Sequence, residues 1–289
     1  MKWTDIEANK HLSLGDKCSR ADVLTALGGV LKYAETHRLL VDEDAEAAIH
    51  EWRKSIRRAR ALMRMVEPAL GRRTRRRLDR QLRALVRATS SLRDGDVLRG
   101  TAEALLPPGT LPDDAHDALY QALDDTRAAQ TGPSSPEGVL RGLAGAAKRV
   151  FECVHKELPR VTKRDVRRGV EATYKSAREA LRETRRAGDD DTVHTWRKRV
   201  KELRYQLEAL PGDRANRLEK DFGRLAEELG RVTDQMVLIG FVGSEIEDTN
   251  DVVRHHVRDR VAEGIEACAR RHAILFIPRA STFAKEVLP

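Results

Sequence analysis

The chain has 289 residues, enough for one large domain or two small ones, with 54 Lys and Arg against 46 Asp and Glu for a net charge of +8. Three widely spaced cysteines, Cys18, Cys153 and Cys268, form no C-x-x-C pair, which argues against a disulfide framework and for small buried thiols in a reducing compartment. Met1-Lys2-Trp3-Thr4-Asp5 lacks the apolar core of a signal peptide, and no stretch approaches the roughly 20 apolar residues of a membrane span, so a soluble cytoplasmic protein without a membrane partner is expected.

The apolar periodicity is helical almost throughout, and no run alternates as a strand does. In chain order, helices are expected near 20–40, 44–68, 71–91 and 94–106, followed by a loop at Pro107, Pro108, Gly109 and Pro112. Two more are expected near 113–130 and 137–158, separated by Gly132-Pro133-Ser134-Ser135-Pro136. The remaining helices fall near 162–187, 190–210, 213–230, 233–247 and 251–273. The apolar run Ile274-Leu275-Phe276-Ile277 is expected to pack against the bundle.

Two of these helices open on the same pentapeptide, His-x-Trp-Arg-Lys, at His50–Lys54 and again at His194–Lys198, 144 residues later. At about 100° per residue, His50, Lys54, Arg57, Ala61 and Arg64 share one stripe with Arg53 at its edge. Trp52, Ile56, Ala59, Leu62, Met63 and Val66 lie opposite. In the second copy His194, Arg197, Lys198, Lys201 and Tyr205 share a face, and Trp196, Val200, Leu203, Leu207 and Leu210 take the other. Each helix thus has an apolar face for packing and a cationic face with few acids. Solvated helix faces usually mix signs, because like charges three or four residues apart repel by a few tenths of a kcal/mol. From Arg53 to Arg93 there are 15 Lys or Arg against two acids, Glu67 and Asp79, a local field suited to a polyanion.

The repeat extends further. Arg77-Leu78-Asp79-Arg80-Gln81-Leu82 is matched by Arg217-Leu218-Glu219-Lys220-Asp221-Phe222, and Asp94-Gly95-Asp96-Val97-Leu98 by Asp234-Gln235-Met236-Val237-Leu238. Asp94 and Asp234 are read as helix N-caps; the other role open to them is to orient a nearby basic side chain. The duplication predicts an all-α fold of two antiparallel bundles of about four helices each, related by a pseudo-two-fold axis, with cationic helices facing a common groove or pore.

Other chemistry is weakly supported. The chain has no Walker-type phosphate loop and no dinucleotide fingerprint. Gly138, Gly142 and Gly145 are read as sites of close helix packing. His255, His256, Asp251 and Asp259 include i,i+4 pairs of metal-site spacing, but no third ligand class is evident and a solvated helix face is the preferred reading, so no metal and no cofactor are expected. No Cys/His nucleophile signature and no acidic pair for Mg²⁺ on the basic face stand out.

With these motifs in order, the chain resembles the CHAD family, the conserved histidine α-helical domain, over about residues 20–273. The resemblance rests on His50, Arg53, Lys54, Arg57 and Arg60, on His194, Arg197, Lys198, Lys201 and Arg204, and on the Leu-Arg-Asp-Gly-Asp-Val segment with its weaker partner. It implies an N-terminal segment 1–19, a first repeat 20–106, connecting helices 107–161, a second repeat 162–248, a C-terminal helix 251–273 and a tail 274–289. It also implies an all-helical fold with a basic central groove, non-enzymatic binding of inorganic polyphosphate, and association with polyphosphate granules. Many members carry a triphosphate-tunnel domain; no strand-rich segment here resembles one, so a stand-alone member is expected.

The expected contact set is His50, Arg53, Lys54, Arg57, Arg60 and Arg64 with His194, Arg197, Lys198, Lys201, Arg204 and Tyr205. Polyphosphate offers only charge and acceptor oxygens, which suits the bidentate fork of Arg, the movable charge of Lys and a His donor that responds to pH. A packing role for Tyr205 fits equally well. Arg58 and Arg64 have Glu202 and Glu208 as their counterparts, so the two halves should contribute unequally. A nucleic-acid partner fits the same field less well, since aromatics are only 4% and the motif tryptophans face the core, leaving few stacking platforms. An enzyme acting on a phosphorylated substrate is the third reading.

Overall fold

The computed structural model describes residues 1–89, 91–106, 109–128, 135–245 and 250–288. Among the described residues it is helical and has no strand, as the periodicity predicts. The elements are α1 (Arg20–Arg38), α2 (Ala45–Met65), α3 (Arg72–Arg87), α4 (Ser91–Leu105), α5 (Asp113–Ala128), α6 (Pro136–Gly142), α7 (Ala146–Glu157), α8 (Lys163–Ala187), α9 (Asp190–Ala209), α10 (Asp213–Glu245), α11 (Asn250–Arg271) and α12 (Ala280–Val287). Among the described residues, no helix is long and apolar enough to cross a membrane.

Local chemistry sets the helix starts. Ser19 and Asp22 form a reciprocal capping box at α1, and Thr162 and Asp165 form another at α8. The two motif helices open on aspartate caps. Asp44 accepts from Ala47 N at 2.9 Å, and Asp189 accepts from Thr192 N at 2.8 Å. Glycine at φ 65°, Gly188, closes α8 in the left-handed conformation.

Three boundaries differ from the sequence expectation. The helix expected over 137–158 is broken between α6 and α7, where Gly145 turns the chain at φ 69°. Its glycine is thus a turn residue and not a packing residue. Conversely, the helices expected over 213–230 and 233–247 are one continuous helix, α10. Asp234 therefore lies mid-helix and caps nothing. The third difference is at the C-terminus: after a 3₁₀ turn at Ala273–Phe276, α12 packs on α8, with Phe283 stacked on Tyr174 at 4.0 Å. In the 274–277 run Phe276 is buried, while Ile274 and Ile277 face solvent.

The two motif helices lie at the centre. Trp52 and Trp196 are fully buried, and α2 packs against α1, α3, α8 and α9. Helices α2 and α9 run antiparallel, since Arg58 pairs with Glu208 and Arg64 with Glu202. At the crossing, Gln206 Nε2 donates to the Ala61 carbonyl at 3.1 Å and to Thr173 Oγ1 at 3.0 Å, tying α9 to α2 and α8. The approach of α8 to the end of α2 needs Gly169: a Cβ there would lie 1.7 Å from the Met65 carbonyl oxygen.

Candidate polyanion-binding groove

The apolar faces predicted for α2 and α9 are the buried ones, which turns the opposite faces outward. Beside the α2–α9 crossing, α3 completes an open groove of about 340 Å³. Helix α3 packs through Leu78, Leu82 and Leu85, so its arginines face away from the core. Arg57, Arg60 and Ala61 of α2, Arg83, Val86 and Arg87 of α3, and His194, Arg197, Lys198, Lys201, Glu202 and Tyr205 of α9 line the groove. Glu202 is the single carboxylate in this lining, and it is held by Arg199 at 2.9 Å and Arg64 at 3.4 Å. A lining so cationic does not suit an apolar metabolite, which wants mainly hydrophobic walls.

The electrostatics follow from the crowding of like charges. His194 sits at the groove with its pKa lowered, by partial desolvation first and then by Arg197 and Lys198. The Lys198 pKa is also lowered, by desolvation first and then by Arg199, Arg60 and Arg83. An anion in the groove would oppose the like-charge part of both shifts.

Of the expected contact residues, the structure gathers Arg57, Arg60, His194, Arg197, Lys198, Lys201 and Tyr205 in this groove. Arg60, Arg197 and Tyr205 are positioned by their surroundings. Arg60 pairs with Asp79 at 3.1 Å, and Arg197 lies 3.8 Å from Asp234 and close over Gly230. Orienting a basic side chain is thus the role Asp234 has; Asp94 also lies inside its helix, since α4 begins at Ser91, and its side chain lies outside the described residues. Tyr205 is buried and carries the Arg58 guanidinium 5.2 Å from its ring centroid, so it both packs and lines.

The other five residues lie elsewhere. Arg53 is buried and donates to the Thr89 carbonyl, because its edge position on the stripe turns it into the α2–α3 interface. Arg64 engages Glu202 and lines an adjoining depression. Lys54 stands beside Glu51, and Arg204 pairs with Glu219 at 2.8 Å. Arg204 and Lys10 help lower the Lys54 pKa, after desolvation, so they share one neighbourhood. His50 is exposed on the same helix and does not line the groove. Lys54 and Arg204 occupy the repeat positions of Lys198 and Arg60. On their side, Glu51, Glu219 and Glu227 neutralise much of the charge.

The contact set read from the two motifs omitted Arg83 and Arg87. The signal was present, since Arg76, Arg80, Arg83 and Arg87 recur at i, i+4, i+7 and i+11. Among the described residues no group of three His, Cys, Asp or Glu is placed to hold a metal, and the side chains of His255, His256 and Asp251 lie outside them.

Residues 25–213 match the CHAD domain family. The structure is similar to the crystal structure of the CHAD domain from the plant Ricinus communis, with a TM-score of 0.69 at 19% identity, covering 95% of this chain and 97% of that one. No curated protein sequence matches the chain.

Proposed function

We propose that this chain, which belongs to the CHAD domain family, binds inorganic polyphosphate in the groove between α2, α3 and α9 and performs no chemistry on it. The observation that carries the reading is the convergence of Arg57, Lys198, Lys201, Arg83 and Arg87, from both repeats, on a lining with one carboxylate. A linear phosphate polymer offers such a lining closely spaced acceptor oxygens along a line, with no base edges to be read. Recruitment to polyphosphate granules would follow from such binding.

The test is a titration with long-chain polyphosphate, in competition with single-stranded RNA and duplex DNA at fixed salt. Polyphosphate should win, and the logarithm of its affinity should fall linearly with the logarithm of salt concentration, by analogy with counterion release. Arg57→Ala and Lys201→Ala should each weaken binding by about 1–3 kcal/mol without loss of helicity. RNA outcompeting polyphosphate would assign the groove to nucleic acid. Phosphate release in the presence of Mg²⁺ would make the protein an enzyme.

A further inference from the structure

The segment after α11 carries an aliphatic pair outside the core. Ile274 and Ile277 are 69% and 70% exposed, while Phe276 between them is buried. The pair sits on the 3₁₀ turn Ala273–Phe276 and its cap, where the Ile277 N–H donates to the Ile274 carbonyl. Side chains three residues apart eclipse in that geometry, so the two isoleucines project from the same side.

Helix α8 holds the turn in this orientation. Tyr174 Oη shares its hydrogen between the Leu275 and Pro278 carbonyls, at 3.1 and 3.0 Å. Arg178 Nη1 donates to the Pro278 carbonyl at 3.4 Å, and Arg185 Nη2 to the Ala269 carbonyl at 2.9 Å. Phe276 packs among Tyr174 and Phe222. With the carbonyls and Phe276 fixed against the bundle, the isoleucines are left outside.

The surroundings of the pair are basic. Residues 269–279 include Arg270, Arg271 and Arg279 and no acid. At about 100° per residue, Arg178, Arg182 and Arg185 share the stripe of α8 that meets this segment. Two neighbouring acids are engaged already: Glu228 with Arg271 at 3.0 Å, and Glu266 with Arg270 at 3.7 Å. A single exposed apolar residue is ordinary and needs no partner. Leu39, 66% exposed, is followed by Asp42, Glu43 and Asp44 and lacks such a rim. An eclipsed aliphatic pair amid an excess of arginines fits a surface that is anionic outside and apolar just beneath. A helix from a protein partner would instead want a groove, and side chains this exposed project from a turn.

We propose that the Ile274–Ile277 turn docks the protein on an anionic lipid surface. The isoleucines enter the acyl boundary, and the arginines meet headgroup phosphates. Among the described residues no helix is long and apolar enough to cross a membrane, so the contact is peripheral. The lack of an apolar span in the sequence, from which no membrane partner was expected, is silent on a contact made by two side chains. The surface uses none of the groove residues and is independent of the polyphosphate reading.

The experiment is co-sedimentation of the full chain with vesicles of equal parts phosphatidylglycerol and phosphatidylcholine, and with vesicles of phosphatidylcholine alone. The parent should bind the anionic vesicles and not the neutral ones. I274S/I277S should weaken that binding by roughly tenfold or more, and R182A/R279A by about tenfold. All four side chains are exposed, so both variants should keep the parent melting temperature and its affinity for polyphosphate. A parent that binds no vesicles, equal binding to both vesicle types, or undiminished binding by I274S/I277S would overturn the proposal. Vesicle binding that survives I274S/I277S but falls in R57A/K201A would assign the lipid contact to the groove and also overturn it. A parent dimer that becomes monomeric in I274S/I277S would give the pair to a second copy of the chain, with the same consequence.

Discussion

The ion pair between Arg58 and Glu208 joins the two repeats where their motif helices cross, and its removal is the sharpest test of the packing. Arg58 is 3% exposed and engages Glu208 through two nitrogens, at 2.9 and 3.0 Å. Glu208→Leu alone strands that guanidinium against Tyr205 with no carboxylate, which costs about 3–5 kcal/mol for a buried pair. Removing both charges with Arg58→Met and Glu208→Leu leaves only the solvent-exposed His11, the other partner of Glu208, without its carboxylate and should cost less than about 1.5 kcal/mol. The coupling energy from a double-mutant cycle should therefore exceed roughly 1.5 kcal/mol. Arg64 and Glu202 sit at the swapped repeat positions, but their contact is 3.4 Å and the Arg64 side chain is 33% exposed. That pair should contribute only about 0–1 kcal/mol. Urea unfolding midpoints, followed by circular dichroism, give both cycles. Coupling below about 0.5 kcal/mol for Arg58 and Glu208, or equal values for the two pairs, would refute the reasoning.

Trp196→Ala should lower stability by about 3–5 kcal/mol, as for other buried large residues, and an unchanged melting temperature would contradict its place in the core. Gly169→Ala should destabilise the α2–α8 contact, because the added Cβ meets the Met65 carbonyl oxygen; a urea midpoint equal to that of the parent would show that the helices do not approach so closely. Polyphosphate affinity should rise as pH falls from about 8 to 6. The free His194 pKa is lowered, by desolvation first and then by Arg197 and Lys198, and a bound polyanion raises it, so binding takes up a proton. The gain is complete below the free pKa and is lost as pH rises through the bound one. His194→Gln should flatten the profile, and a variant that keeps the parent slope would remove the histidine from the ligand linkage.

Much of the fold was legible because its signals are local. The 3.6-residue period put Trp52 and Trp196 inside, and Asp44 and Asp189 start their helices as caps do. Boundaries set by long-range packing were less so. Helix α10 continues through Asp234 because it packs along α9 and α11, although the local text resembles a helix start. Periodicity placed Lys54 and Lys198 on equivalent cationic faces, and it carries no information on what each face meets. Lys198 meets Arg60 of α2 and Arg83 of α3, while Lys54 meets Glu51. Arg53 looked like a stripe residue, yet the Thr89 carbonyl draws it inward. The acids Glu202 and Glu208, visible as departures from the repeat, are the partners of Arg64 and Arg58 across the crossing.

A crystal structure of the chain soaked with tripolyphosphate tests the central claim most directly. Phosphate density should lie between α2, α3 and α9, within hydrogen-bond reach of Arg57, Lys201 and Arg83, so that one ligand touches side chains of both repeats. Phosphate bound instead beside Lys54 and Arg204, with the α3 groove empty at saturating ligand, would contradict the account.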